Sequence, residues 1–332
     1  MAPQSNLDLI NKLKNMTHDC LSKYISKEEP LAILDFPDIK NCGDSAIWLG
    51  EMAYLKDRFN KRPDYISRMK DFSRRSLEKS VPTGPIFIHG GGNFGDIWES
   101  HQDFREKILE LLPKRKIIQF PQSIHYKSSA RMAETAKIIK KHGNFVLLVR
   151  DVESFEFAKN NFECEVHLCP DMAFCIGAIK PAAPEYPVLA MLREDKEKVA
   201  NVDTSILTNI PVEDWITESA SSVRNSKIEG AITALKGLKF NELRLNTLDA
   251  AAHNRFQRGI RQISRGQAIV TDRLHVHICS LLIGRPHAVL DNSYGKIQRF
   301  MSAFSGGTEL SYKAESLSDG VNWARKQAKS FS

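Results

Sequence analysis

Short apolar runs alternate along the chain with longer stretches in which apolar positions recur every three or four residues. The short runs, bounded by polar or turn residues, predict strands at Leu31–Asp35, Pro85–His89, Lys116–Phe120, Phe145–Arg150, Glu165–Leu168, Val188–Leu192 and Ala268–Thr271. The longer stretches predict helices at Ser45–Arg58, Trp98–Leu112, Ser128–His142, Val152–Asn161, Leu248–Ser264 and Asp272–Ile283. This alternation is the rhythm of an α/β protein with parallel sheets and crossover helices. Neither an internal repeat nor a low-complexity tract interrupts it.

With 332 residues the chain has room for about two domains of roughly 150 residues. The best boundary is Gly177–Pro187, where Pro181, Pro184 and Pro187 make a stiff connector between residues 1–178 and 179–332. Two such units would face each other across a cleft, and ligands of open parallel sheets collect beyond the carboxyl ends of the strands. A 42% share of hydrophobic and 26% of charged residues excludes disorder, collagen and coiled coil for the chain as a whole. The formal charge of +7 favours anionic ligands without choosing among them. The longest apolar runs, such as Phe145–Val149, fall far short of the roughly 18–20 residues a membrane helix needs. Met1–Lys14 lacks the pattern of a secretory signal, so the expected location is the cytosol. The six cysteines contain no C-x-x-C pair, which leaves no zinc-ribbon or thioredoxin-like motif; small buried hydrophobes are the expected role.

Unusual residues gather after the predicted strands. Asn41–Ser45 leads into a helix that Asp44 or Ser45 can cap, and Gly43 lets an anionic ligand approach the free N–H groups; an ordinary N-cap has the same pattern. Three consecutive glycines, Gly90, Gly91 and Gly92, followed by Asn93, are entropically costly and predict a loop brought close to a ligand. The spacing fits neither a dinucleotide fingerprint nor a P-loop. Gln122, Ser123 and His125 offer donors and acceptors for a hydroxyl-rich ligand, although a loop histidine is more often structural. Arg150 beside Asp151 reads equally as an ion pair or a ligand contact. Arg255, Arg258, Arg261 and Arg265 form a basic helical stripe, usually a solvated face and otherwise a polyanion site. Thr271 or Asp272 can cap a further helix, leaving Arg273 and His275 in its first turn, a strong place for a phosphate or carboxylate. His275 and His277 lie two residues apart and point to opposite sides, so no metal is expected there, and His277 reads as a core residue.

Taken together, the early Asn-x-Gly-Asp (Asn41–Asp44), Gly-Gly-Gly-Asn (Gly90–Asn93), Pro-Gln-Ser (Pro121–Ser123), Arg-Asp with its downstream serine (Arg150, Asp151, Ser154) and Asp-Arg-Leu-His (Asp272–His275) resemble the polysaccharide pyruvyl transferase family from about residue 31 to 300. The stretch Asn201–Asn246 carries no such feature. The resemblance implies two Rossmann-like domains in a GT-B-like pair, acceptor on the N-terminal side and donor on the C-terminal side, with the last helix able to pack back on the N-terminal unit. It implies phosphoenolpyruvate as donor, with Arg273, Leu274 and His275 handling it and Arg193 as a second donor arginine. A carbohydrate, free, polymeric or as its lipid-linked precursor, is the implied acceptor, with Gly91, Gly92, Asn93, Gln122, Ser123 and Arg150 on the acceptor or cleft loops.

Phosphoenolpyruvate carries a carboxylate and a phosphate, which separated cations such as Arg193 and Arg273 can clamp. Protonating its methylene carbon lets a sugar hydroxyl attack the neighbouring carbon; phosphate leaves and a second hydroxyl closes a ketal. The acid and base are sought among His275, His125 and Asp44, with His275 as the expected acid. No redox cofactor, metal or nucleic acid enters this scheme. A lipid-linked acceptor would bring the positive chain to an anionic membrane face. The competing readings are a GT-B glycosyltransferase using a nucleotide sugar and a non-catalytic carbohydrate- or polyanion-binding protein.

Overall fold

The computed structural model describes residues 4–193, 205–215, 228, 240–291 and 295–330. Of the stretch 201–246, therefore, only part lies within the described residues. The first half runs α1 (Gln4–Leu21), β1 (Ala32–Leu34), α2 (Cys42–Phe59), β2 (Tyr65–Ser67), α3 (Arg74–Ser80), β3 (Ile86–Ile88), β4 (Gly91–Gly95), α4 (Glu99–Leu111), β5 (Ile117–His125), α5 (Ser129–His142), β6 (Phe145–Val149), α6 (Val152–Asn161) and β7 (Glu165–Leu168). The second half, as described, runs β8 (Tyr186–Met191), β9 (Val212–Glu213), α7 (Phe240–Ser264), β10 (Gly266–Thr271), α8 (Leu274–Leu282), β11 (His287–Val289), α9 (Lys296–Phe300), β12 (Ser311–Lys313) and α10 (Leu317–Ser330).

Both sheets are parallel, as the alternation of elements predicts. The first has the order β2-β1-β3-β5-β6-β7 with β4 added beside β5, and the second has the order β12-β11-β10-β8-β9. Parallel strands are covered on both faces, so the two-residue period sorts their apolar side chains into two cores. Ile86, Ile88, Phe145, Leu147 and Val149 face α4, α5 and α6, whereas Phe87, Val146 and Leu148 face α2. In the second sheet Val188, Ala268, Val270 and Ala288 lie under α10, and Leu189, Ile269 and Val289 lie under α7 and α8.

Several elements depart from expectation. The glycine run is no loop: Gly91 pairs with Gln122 and Gly95 with His125, making β4 an extra strand. Its glycines are needed because Gly91 and Gly95 have φ of 137° and 118°, and a Cβ on Gly95 would overlap the His125 carbonyl. The Pro121–His125 segment, expected just past a strand end, is the continuation of β5. Finally, α10 packs on β8, β10 and β11 of its own half, not on the N-terminal sheet, because Leu317, Val321, Ala324 and Ala328 form the stripe that covers that sheet.

The basic helix is longer than its periodicity predicts. Leu245, Leu248 and Ala252 of α7 pack with Trp48 in the core beside α2, while Phe256, Ile260 and Ile263 enter the core under the second sheet. Trp48 donates its indole N–H to Asp249 at 2.7 Å, fixing the first end. The stripe is not a free polyanion surface: Arg258 donates to the carbonyls of Lys40 and Trp215, and Arg265 pairs with Glu185 and Glu213. Arg255 faces Asp38 at 3.6 Å, and Arg261 is exposed. Among the described residues no helix is long and apolar enough to cross a membrane.

Gly50 marks where α2 lies on the turn Met172–Ile176, and a Cβ there would overlap the Met172 carbonyl. Inside a helix Gly→Ala ordinarily stabilises by up to about 1 kcal/mol. Here Gly50→Ala is expected to destabilise by about 1–3 kcal/mol through overpacking, measured as a lower urea midpoint; an unchanged or higher midpoint contradicts this packing.

Candidate active site

The carboxyl ends of six strands, drawn from both sheets, open on one cavity of about 540 Å³. Asp35 follows β1, Arg68 and Lys70 follow β2, His89 follows β3, Arg150 follows β6, Arg193 lies just past β8, and Arg273, Leu274 and His275 follow β10. Asn41 and Asp44 enter from the start of α2, and Gly92 and Asn93 from β4. Trp98, His101, Trp215 and the loop Phe36–Ile39 add to the wall.

The helix starts are set differently from their sequence pattern. Asn41, not Asp44 or Ser45, caps α2, its side chain accepting from the Gly43 N–H at 3.0 Å. Asp44 is thereby left in the first turn with its residue on the cavity. Gly43 permits a close approach, since a Cβ on it would stand 2.5 Å from His275 Nδ1. At α8 the N-cap position belongs to Arg273, whose N–H donates to Thr271 Oγ1 at 3.0 Å. The Asp272 carboxylate accepts instead from the Arg193 N–H at 2.9 Å, tying together the loops that follow β8 and β10.

Two buried guanidinium groups reach the cavity, each held by a buried carboxylate. Arg273 donates to Asp214 at 2.6 Å. Arg150 donates to Asp171 at 2.5 Å and, through Nε, to Ser123 Oγ at 3.1 Å. Its expected partner Asp151 is used elsewhere: that carboxylate caps α6, accepting from the Ser154 N–H at 2.8 Å. His275 Nε2 lies 3.4 Å from Arg150 Nη1 and 3.5 Å from Asp171. Burial pushes the Asp171 carboxyl up, but the His275 imidazole and Arg150 guanidinium outweigh it and hold the group well below the usual carboxylate range.

The residues singled out in the sequence therefore separate. Asp44, Gly92, Asn93, Arg150, Arg193, Arg273, Leu274 and His275 line one cavity. Gly91, Gln122, Ser123 and His125 are not among its lining residues. Gln122 supports Asn93, accepting its N–H at 3.1 Å and donating to its side-chain oxygen at 2.9 Å, while Ser123 supports Arg150. His125 ends β5 beside Gly95, away from the cavity lining, because β5 runs on past the proline. His277 is a core residue, bonded to His287 and Ser305.

Several wall residues have no sequence signal of their own. Asp35 adopts φ 65°, a left-handed conformation that aspartate tolerates better than most residues, and accepts from His101 Nδ1 at 2.8 Å. His89 bonds through Nδ1 to Glu51 at 2.9 Å, with both side chains buried. Asp171 and Asp214 are ordinary acidic residues until the fold sets arginines beside them.

The sequence pattern of the family described as polysaccharide pyruvyl transferase matches residues 41–294. Pyruvyl transferase 1 of Schizosaccharomyces pombe is 30% identical over 318 residues, covering 89% of this chain and 75% of that protein. The Bacillus subtilis protein EpsO, whose name also carries the words pyruvyl transferase, is 32% identical over 294 residues, covering 85% of this chain and 88% of its own. A solved structure of a functionally uncharacterized Klebsiella pneumoniae protein superposes with a TM-score of 0.58 at 20% identity, over 91% of this chain and 99% of the other, and shares its fold.

Replacing Asp171 by Asn leaves the Arg150 guanidinium buried without its counter-charge, so a loss of about 3–5 kcal/mol is expected at pH 7 in urea unfolding. The folded-state pKa lies below the unfolded value of about 3.9, so the carboxylate's contribution is full above that value and is lost as pH falls through the folded one. The gap between the two proteins should narrow below about pH 4; a gap constant from neutral to acid pH contradicts the pairing.

Proposed function

The chain belongs to the polysaccharide pyruvyl transferase family and is a transferase; from that premise we propose that it moves the enolpyruvyl-derived group of phosphoenolpyruvate onto two hydroxyls of a sugar, forming a pyruvate ketal and releasing phosphate. The observation that carries this reading is the convergence of Arg150, Arg193 and Arg273 on one cavity beside His275. A donor with a carboxylate at one end and a phosphate at the other needs separated cations, and bidentate guanidinium groups suit both anions. Arg273 and Arg193, on neighbouring loops of the second sheet, take one anion. Arg150, on the first sheet, takes the other. The carboxylates of Asp214 and Asp171 fix the forks of Arg273 and Arg150 before the donor arrives, which is how an electrostatic site avoids reorganisation during reaction.

His275 stands beside Arg150 and serves as the acid that protonates the methylene carbon, making the neighbouring carbon electrophilic. The opposite wall receives the acceptor. Asp44, Gly92 and Asn93 offer polar groups there, and Trp98, 46% exposed, gives a sugar ring an aromatic face. The acceptor is a saccharide of a polysaccharide or its precursor. This chemistry calls for no redox cofactor.

Incubation with phosphoenolpyruvate and an oligosaccharide should add a pyruvyl unit to the acceptor with one phosphate released per ketal. A hexose added from a nucleotide sugar, with phosphoenolpyruvate inert, overturns the donor assignment. Arg273→Ala is expected to lower turnover by on the order of 10²–10³-fold. Arg261→Ala, exposed on α7, should leave it unchanged, and equal losses in the two variants contradict the clamp.

A further inference from the structure

Two buried histidines in this molecule are satisfied in opposite ways. His277 uses both ring nitrogens, Nδ1 toward His287 at 2.7 Å and Nε2 toward Ser305 at 2.9 Å, as a packing histidine should. His89 is as deeply buried, at 2% exposure, but only one nitrogen is engaged. Its Nδ1 lies 2.9 and 3.0 Å from the two oxygens of Glu51, which also accepts the Gly90 N–H at 3.0 Å. Nε2 has no hydrogen-bond partner, although His89 is one of the residues that line the cavity. A buried polar atom left unpaired in a residue of a cavity wall costs stability and is a position a ligand can satisfy.

The ionised Glu51 carboxylate can only accept a hydrogen bond, so it selects the tautomer with Nδ1–H and leaves the lone pair of the neutral ring on Nε2. This is the orienting logic of a carboxylate behind a catalytic imidazole. We infer that Glu51 and His89 form a proton-accepting dyad on the acceptor wall, His89 Nε2 taking the proton of the attacking sugar hydroxyl while Glu51 positions the ring. The inference deepens the pyruvyl-transfer reading and rests on it. As the hydroxyl oxygen bonds to C2 of the donor, the C2–C3 π pair takes a proton at C3 and the hydroxyl proton passes to Nε2. The C2–phosphate bond then breaks and the second hydroxyl closes the ketal. The two hydroxyl protons balance the one gained at C3 and the one carried away by phosphate.

Burial alone would push the His89 imidazole down, but Glu51, with Asp35 past β1 and Asp44 on α2 adding to it, holds the group above its ordinary value. Burial likewise pushes Glu51 up, and Asp171 adds to that. An imidazole raised in this way is a better base toward an alcohol than a carboxylate is, and the acidic limb of the rate profile reports it.

The test measures kcat, KM for phosphoenolpyruvate and the pH profile of His89→Gln and Glu51→Gln, with thermal melts to establish folding. His89→Gln is expected to lower kcat by about 10²–10⁴-fold with KM for the donor little changed. Glu51→Gln should lower it less and move the acidic limb of kcat/KM to lower pH, since the charge that raises the imidazole is gone. Wild-type kcat in His89→Gln, or an unmoved limb in Glu51→Gln, overturns the dyad. Should the wild-type protein transfer hexose from a nucleotide sugar instead, the donor reading fails separately and the same variants are assayed with that donor. Imidazole nitrogen NMR of the wild-type protein supplies an arm that needs neither turnover nor a variant. Methyl hexopyranosides should shift the His89 Nε2 resonance, and an unmoved signal overturns the inference.

Discussion

A guanidinium withdrawn from water must keep a counter-charge, and the pairing of Arg150 with Asp171 meets that demand where the two halves of the chain meet. Arg150 ends a strand of the first sheet, and Asp171 follows the last strand of that sheet. His275, from the first turn of α8, stands against both. The helix α8 can reach them because Gly43 leaves room for its histidine beside the start of α2. One electrostatic requirement thus fixes two strand ends, two helix starts and the imidazole of His275.

Much of this framework can be read from the residue pattern because it follows from burial. Strands covered on both faces are continuous apolar runs, and β1, β3 and β6 lie where those runs predict them, while the edge strand β7 alternates polar and apolar residues at its predicted place. The strands β2 (Tyr-Ile-Ser), β11 (His-Ala-Val) and β12 (Ser-Tyr-Lys) each mix polar with apolar residues within three positions and so form no continuous apolar run. β4 is Gly-Gly-Asn-Phe-Gly, and it pairs through its backbone with almost no side-chain pattern to announce it. The helix α1 carries its apolar residues Ile10, Leu13 and Leu21 at helical spacing among many polar ones, and the turn Met172–Ile176 packs against it.

The candidate site divides along a similar line. Arg150, Arg193, Arg273 and His275 could be found because each follows a strand, where ligands of parallel sheets gather. Their partners could not, since Asp171 and Asp214 acquire meaning only from contacts made across 21 and 59 residues of chain, as does Glu51, the partner of His89, across 38. Gln122 and Ser123 were legible as polar residues at an unusual place, yet they act through Asn93 and Arg150 and do not face the cavity. A proline within β5 disguised the strand that carries them.

The helix α7 carries a mechanical implication. At about 1.5 Å per residue its 25 residues extend some 37 Å, anchored by Leu248 in one core and Ile263 in the other. Gly259 lies so near Cys42 that a Cβ there would stand 2.9 Å from the cysteine side chain, so the rod is also pressed on the start of α2. Swinging the sheets apart would require bending this rod or stripping apolar surface from one of its ends. The walls of the cavity are therefore braced against such a swing, so the spacing between the strand ends that carry Arg150 and Arg273 is held by the rod rather than by anything the cavity contains.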